Sequence, residues 1–155
     1  MIKKSVAILL VCAFMAPFAM AGIGSKKASY VGGTVTTIKE NTEGDTSTKD
    51  EKIYTFTTKG ATLSIPYDRV DSLEYGQKAG RRVGLALTIS PWLLLSKKRK
   101  HFLTISWKDE ADKQQAVVFE LGKDIIRTEL ATLEARTGRK IEYQDDEARK
   151  SGRGN

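Results

Sequence analysis

Alternation of apolar and polar positions predicts β-strands along most of the chain between residues 30 and 121. The pair Gly32-Gly33 predicts a bulge near the start of the first strand, and Lys59-Gly60 predicts a tight hairpin turn. Strands are expected in six segments: 30–38, 53–58, 61–67, 70–75, 102–107 and 115–121.

The hydrophobic period changes from 2 to 3.6 after the last of these strands. Within 123–137, Ile126, Leu130 and Leu133 fall on one face of a helix, and Gly138 is a suitable residue to end it. The pattern predicts an α+β, mainly β domain. We expect a small antiparallel sheet or partial barrel closed by one C-terminal amphipathic helix.

Three remaining stretches complete the expected organisation. Residues 39–52 contain no apolar side chain and predict a long solvated connection, whereas Ile141 and Tyr143 allow one more extended contact. The polar residues 144–155 predict a disordered tail.

The first 21 residues have the layout of a secretory signal peptide. Basic residues precede an apolar run at 6–16, and Ala19-Met20-Ala21 is a suitable cleavage site. Two alternatives remain open. The uncharged stretch 5–25 is long enough to stay as a membrane anchor, and Cys12 allows a lipoprotein, although Val11 is large for the position before a lipidated cysteine.

Composition and charge restrict the functional classes. The 155 residues carry a formal net charge of +7 and one cysteine, so cleavage after Ala21 would leave a cysteine-free chain of one domain. Disulfide and thiol chemistry are then excluded. An exported chain, periplasmic or extracellular, has little contact with nucleic acid, which argues against that explanation of the positive charge.

The excess charge is concentrated in residues 76–101, called the basic segment below. It holds seven cations and no acid, and they flank an uncharged run at 83–96 that Pro91 interrupts. A helix of that length would extend only about 21 Å, too short to span a bilayer. We expect contact with an anionic membrane or an envelope partner through Arg81, Arg82, Trp92, Leu93, Leu94, Leu95, Lys97, Lys98, Arg99 and Lys100. The alternative is that 83–95 packs within the core of the domain.

Other candidate chemistry is weak. His101, the single histidine, is expected at the surface of a strand start, and no metal site or cofactor is predicted. The acidic residues between Glu43 and Glu51 lack the spacing of a calcium loop. Carboxylates around a turn would support acid–base catalysis only if a pocket gathered Asp68, Asp71, Glu74 or Tyr75.

Four phrases carry a family resemblance: IPYDRVDSLEYGQ (65–77), KKRKHFLTI (97–105), VFELGK (118–123) and EARTGRKIEY (134–143). With the order of elements, they resemble small exported bacterial proteins with pleckstrin-homology-like or GRAM-like domains. The resemblance covers residues 30–143 and implies a curved antiparallel sheet capped by a C-terminal helix. The domain is expected over residues 22–143, with the basic segment as an insertion. It supplies no catalytic residues. The acidic first loop also departs from phosphoinositide-binding members, which carry basic residues there.

The resulting hypothesis is a non-enzymatic, exported binding module that associates peripherally with a membrane or envelope partner through residues 81–101. The alternative is a protein-binding scaffold with that segment in its core. No small-molecule substrate is indicated.

Overall fold

A single mixed β-sheet forms the framework of the domain. A computed structural model describes residues 27–77, 88–89 and 100–154. The described strands are β1 (Lys27–Gly33), β2 (Thr42–Ser47), β3 (Ile53–Thr57), β4 (Thr62–Pro66), β5 (Val70–Gly76), β6 (Thr88–Ile89), β7 (Phe102–Lys108), β8 (Gln114–Leu121) and β9 (Ile141–Tyr143). Eight of them lie in the order β4-β3-β2-β1-β8-β7-β5-β9, and β6 pairs with β1.

The sheet is neither fully antiparallel nor a closed barrel. All neighbouring strands pair antiparallel except β5 and β9, which are parallel in the register Leu73 to Ile141. The strands β4 and β9 end the order, and they are not paired with each other among the described residues. The prediction of a mainly β fold is confirmed, and the expectation of an antiparallel sheet requires this correction.

Two helices cover one face of the sheet. Helix α1 (Ile126–Thr137) ends at Gly138, whose φ of 68° is readily adopted by glycine, so the predicted helix and its stop are confirmed. Leu130 and Leu133 on α1 join the side chains of Leu103 and Phe119 in one buried cluster. We call this side the core face.

A second helix, α2, occupies the region predicted to be a disordered tail. It spans Asp146–Arg153 and begins at Asp145, whose carboxylate accepts a hydrogen bond from the Ala148 amide at 2.7 Å. Ala148 and Gly152 are buried against the domain. The disorder prediction is therefore wrong for this stretch, because a polar helix docks here through two small buried residues together with contacts from Ser151 and Arg153.

The predicted long connection at 39–52 contains strand β2. Its polar side chains gave no alternation signal, but its backbone pairs with β1 on one side and β3 on the other. The hairpin of β3 and β4 and the bulge in β1, at the register shift between Tyr30 and Gly32, both agree with the sequence prediction. The first strand ends at Gly33 rather than at residue 38.

Candidate functional site

The basic segment leaves and rejoins the sheet at one place. Gly76 at the end of β5 is in register with Phe102 at the start of β7. Between them, Thr88 and Ile89 form β6 and pair with Gly33 and Gly32 of β1. The segment is therefore an excursion between two adjacent strands that touches a third strand, β1, farther across the sheet.

Most of the predicted binding residues lie outside the described part of the chain. They are Arg81, Arg82, Trp92, Leu93, Leu94, Leu95, Lys97, Lys98 and Arg99, and the predicted signal peptide at 1–21 also lies outside it. Lys100 is described. Its ammonium group is 2.7 Å from the Glu120 carboxylate, and both side chains are about three-tenths exposed, so Lys100 is held against β8.

His101 is half-buried and hydrogen-bonded, which corrects the prediction of a surface residue. Its Nδ1 lies 2.6 Å from the Tyr75 hydroxyl, which is also 3.2 Å from Ser151 Oγ on α2. Burial, then the nearby charge of Lys123, lowers the pKa of His101 below its usual value. Burial likewise raises the pKa of Tyr75. The three side chains connect the returning end of the basic segment to the C-terminal helix.

The four candidate catalytic residues do not converge. Asp68 and Asp71 are exposed, and Glu74 and Tyr75 are consecutive strand residues on opposite faces of β5. Gln144 donates a hydrogen bond to Glu74 at 2.9 Å, on the face away from the Tyr75 ring. The arrangement provides no common pocket for paired carboxylates.

Two open grooves lie in the described part of the sheet around β2. One, of about 330 Å³, is lined by the start of β1 and the end of β3, and an adjoining groove of about 340 Å³ reaches the β3–β4 turn. Lys59 and Glu43 line both. Cations and acids are mixed here, and the described residues contain no group of three metal-ligating side chains.

A carboxylate inside the core was missed by the sequence analysis. Glu129 on α1 is fully buried, and it interacts with the hydroxyl of Tyr54 on β3. Burial, followed by the Glu129 charge and a hydrogen bond to it, raises the pKa of Tyr54 well above its usual value. Glu129 lies three residues after Ile126 and four residues before Leu133, so it shares their face of α1, and this spacing was the signal that could have indicated burial.

Both faces of the central strands β7 and β8 are buried, but the side chains of only one face belong to the core cluster. Val117 and Phe119 belong to the core cluster, whereas Ala116, Val118 and Phe102 are equally buried and lie outside it. The register of β7 with β8 places these three residues on the opposite side, which we call the second face. The helices α1 and α2 pack on the core face.

Comparisons with models of protein families and with curated proteins find no match for this chain. None of the described helices is long and apolar enough to cross a membrane.

Proposed function

We propose that the chain is an exported, non-enzymatic module that attaches peripherally to an anionic membrane surface through the cations of the basic segment. The sheet serves as the scaffold that holds the two ends of this segment side by side. Arg81, Arg82, Lys97, Lys98 and Arg99 supply the contacts with lipid phosphates.

The distribution of charge is the observation that carries this proposal. The described residues contain all 19 acidic residues of the chain but only 17 of its 26 basic residues. Of the nine other cations, six lie in the basic segment. The folded framework is thus slightly acidic, and a polyanion would be attracted to the segment rather than to the surface as a whole.

The connection geometry supports the same proposal. Gly76 and Phe102 are paired, so the two ends of the basic segment join adjacent strands at one end of the sheet. The first group of cations, Arg81 and Arg82, follows the end of β5 along the chain, and the second group, Lys97 to Arg99, precedes the start of β7. Lys100, which is paired with Glu120, fixes the returning end. Two basic groups attached at one place can contact the same surface, which raises their combined affinity.

Vesicle co-sedimentation provides the test. We compare anionic vesicles containing phosphatidylglycerol with neutral phosphatidylcholine vesicles. The triple charge reversal Lys97→Glu, Lys98→Glu, Arg99→Glu is expected to weaken binding to anionic vesicles by about 100-fold, since each basic residue near an anionic leaflet contributes about 1 kcal/mol.

A matched control reverses three lysines elsewhere. Lys49→Glu, Lys52→Glu and Lys59→Glu change the net charge equally, at exposed positions around the turns that flank β3. We expect binding to stay within about threefold of wild type, since these residues lie away from the proposed contact. Equal loss in both triple variants, or no binding by wild type, would refute the proposal.

A protein partner is the second candidate, and the free edge of β4 is the observation that favours it. Among the described strands, β4 pairs only with β3, and the hairpin register leaves the amides of Thr62 and Ser64 directed outward. An extended peptide could add there as another strand. Replacing Ser64 by proline would remove one outward amide, and it should abolish capture of such a peptide without affecting vesicle binding.

A further inference from the structure

The outer edge of β4 carries a backbone pattern that is complementary to itself. The Thr58 amide donates to the Ala61 carbonyl at 2.8 Å, and the Tyr67 amide donates to the Lys52 carbonyl at 2.9 Å, so inward hydrogen bonds fall at every second residue of the β3–β4 ladder. Residues 62 and 64 lie between these positions, and their amides and carbonyls point away from β3. Among the described strands, β3 is the single neighbour of β4, and Thr62 and Ser64 are exposed.

We propose that this edge pairs antiparallel with β4 of a second copy of this chain, about a two-fold axis at Leu63. In that register, Thr62 of each copy faces Ser64 of the other, and each pair exchanges N–H···O=C bonds in both directions. Both outward amides of each copy therefore gain an acceptor. Pro66, which has no amide hydrogen, lies outside these pairs.

The side chain at the proposed axis is apolar. Leu63 packs against the core cluster but is only partly buried. Facing residues that share no hydrogen bond have Cα atoms about 4.5 Å apart, so the two Leu63 side chains would cover each other. Edge strands that stay unpaired are commonly protected by charged side chains, and residues 60–67 contain none.

The charges at the two ends of β4 have opposite signs. Lys59 precedes the strand and Asp68 follows it, and both residues are exposed. Antiparallel pairing brings the start of one strand beside the end of the other, so Lys59 of each copy would lie near Asp68 of its partner. The edge is thus complementary to a second copy in charge as well as in hydrogen bonding.

The inference names a partner for the β4 edge, which is the surface of the second candidate function above. Its failure would leave lipid attachment through the basic segment unaffected, because no residue of β4 takes part in that attachment. The strand has five residues, so the contact is small and dimerisation should be reversible on dilution.

Sedimentation velocity of the full chain, between about 5 and 500 μM, tests whether the dimer forms. Ser64→Pro should weaken dimerisation by about tenfold or more, because each copy loses an outward donor. Ser64→Ala is the matched control. It keeps the amide and should stay within about twofold of wild type. A wild-type chain that remains monomeric over this range, or equal dimerisation by the two variants, would overturn the proposal.

Disulfide cross-linking tests the register. Cys12, the single cysteine, is first replaced by serine, and cysteine is then introduced at one edge position at a time. Leu63→Cys should form the linked dimer at least about tenfold faster than Ser64→Cys, because the two Ser64 positions are offset diagonally by about 7–8 Å. Exposure alone would favour the opposite order, since Ser64 is more exposed than Leu63.

Equal rates, or faster linkage through Ser64→Cys, would overturn the proposed axis. A chain that remains monomeric but captures an unrelated extended peptide at β4 would also overturn the proposal, and it would assign the edge to a different protein.

Discussion

The Glu129 carboxyl group lies in the core beneath β3, where it has lost its contact with water. Burial of a polar group is unfavourable unless other groups compensate, and the Tyr54 hydroxyl interacts with this carboxyl group. The two residues are therefore expected to have opposite effects on stability when they are changed one at a time. Removal of the carboxyl group relieves the cost of its burial, whereas removal of the hydroxyl increases that cost.

We predict that Glu129→Leu raises the free energy of unfolding at pH 7 by ~1–3 kcal/mol, because leucine has a similar volume and needs no solvation. Tyr54→Phe should lower it by ~1–2 kcal/mol, since the carboxylate loses a donor. Urea denaturation of both variants checks the contrast. Equal destabilisation by the two substitutions would show that the carboxylate contributes net stability.

A second residue-level prediction concerns His101. Its pKa is lowered in the folded chain, so between that lowered pKa and the usual pKa of about 6.5 the unfolded chain binds more protons than the folded chain. Stability should therefore fall as the pH decreases below about 6.5. His101→Gln, which removes the single histidine, should have a flatter stability profile between pH 7.5 and 5.

The comparison is made by urea denaturation at each pH, taking the difference between wild type and variant so that the carboxylates cancel. If the free energy of unfolding depends on pH in the same way for wild type and variant, His101 titration plays no role in stability. A steeper dependence on pH in the variant than in wild type would contradict the direction of the His101 pKa shift.

Among the elements, α2 depends on a close approach at Gly152. A Cβ at this position would lie 2.6 Å from Tyr143 Cε1 and 3.0 Å from Leu130 Cδ1. In an unpacked helix, replacement of glycine by alanine would stabilise by about 1 kcal/mol. Here we predict that Gly152→Ala lowers the free energy of unfolding by ~1–3 kcal/mol, because the side chain overpacks the contact.

Gly60→Ala is the control, since a Cβ there meets no atom within 4 Å. Gly60→Ala should change the free energy of unfolding by less than about 0.5 kcal/mol, as is usual for substitutions at exposed positions. Thermal or urea unfolding measures both variants. A stabilising Gly152→Ala would show that α2 does not pack on Tyr143 in solution.

The elements found from sequence are those with strong side-chain periodicity. The β3–β4 hairpin, β7, β8 and α1 were predicted to within a few residues. Strand β2 was missed because backbone pairing holds its polar residues, and α2 was missed because its only buried residues, Ala148 and Gly152, are too small to give a hydrophobic period. Acids at its start and bases at its end were the available signal for α2.

The candidate site was less predictable than the fold. Sequence located the cations of the basic segment, but the partners of Lys100 and His101 come from β8, β5 and α2, which are distant along the chain. Such contacts depend on strand order and register, and neither follows from local periodicity.

At the scale of the whole molecule, attachment through the cations of the basic segment predicts sensitivity to salt, because salt screens electrostatic attraction. Since the Debye length falls from about 10 Å at 0.1 M to about 3 Å at 1 M, raising the salt over this range should release the protein from anionic vesicles.

Trp92→Ala should leave the bound fraction within about twofold in the same co-sedimentation experiment, since the proposed attachment rests on the cations of the basic segment. Attachment that resists 1 M salt and is lost in this variant would indicate apolar insertion into the bilayer instead.

The pairing of β1 with β8 has a consequence for the order in which the molecule forms. Ala28 is in register with Leu121 and Gly33 with Val117, so the central ladder joins residues that are 84 to 93 positions apart. A chain that emerges N-terminus first has to release most of its length before this ladder can close. Until then the early hairpins have no central strands to pack on, and final assembly begins only after β8 has emerged.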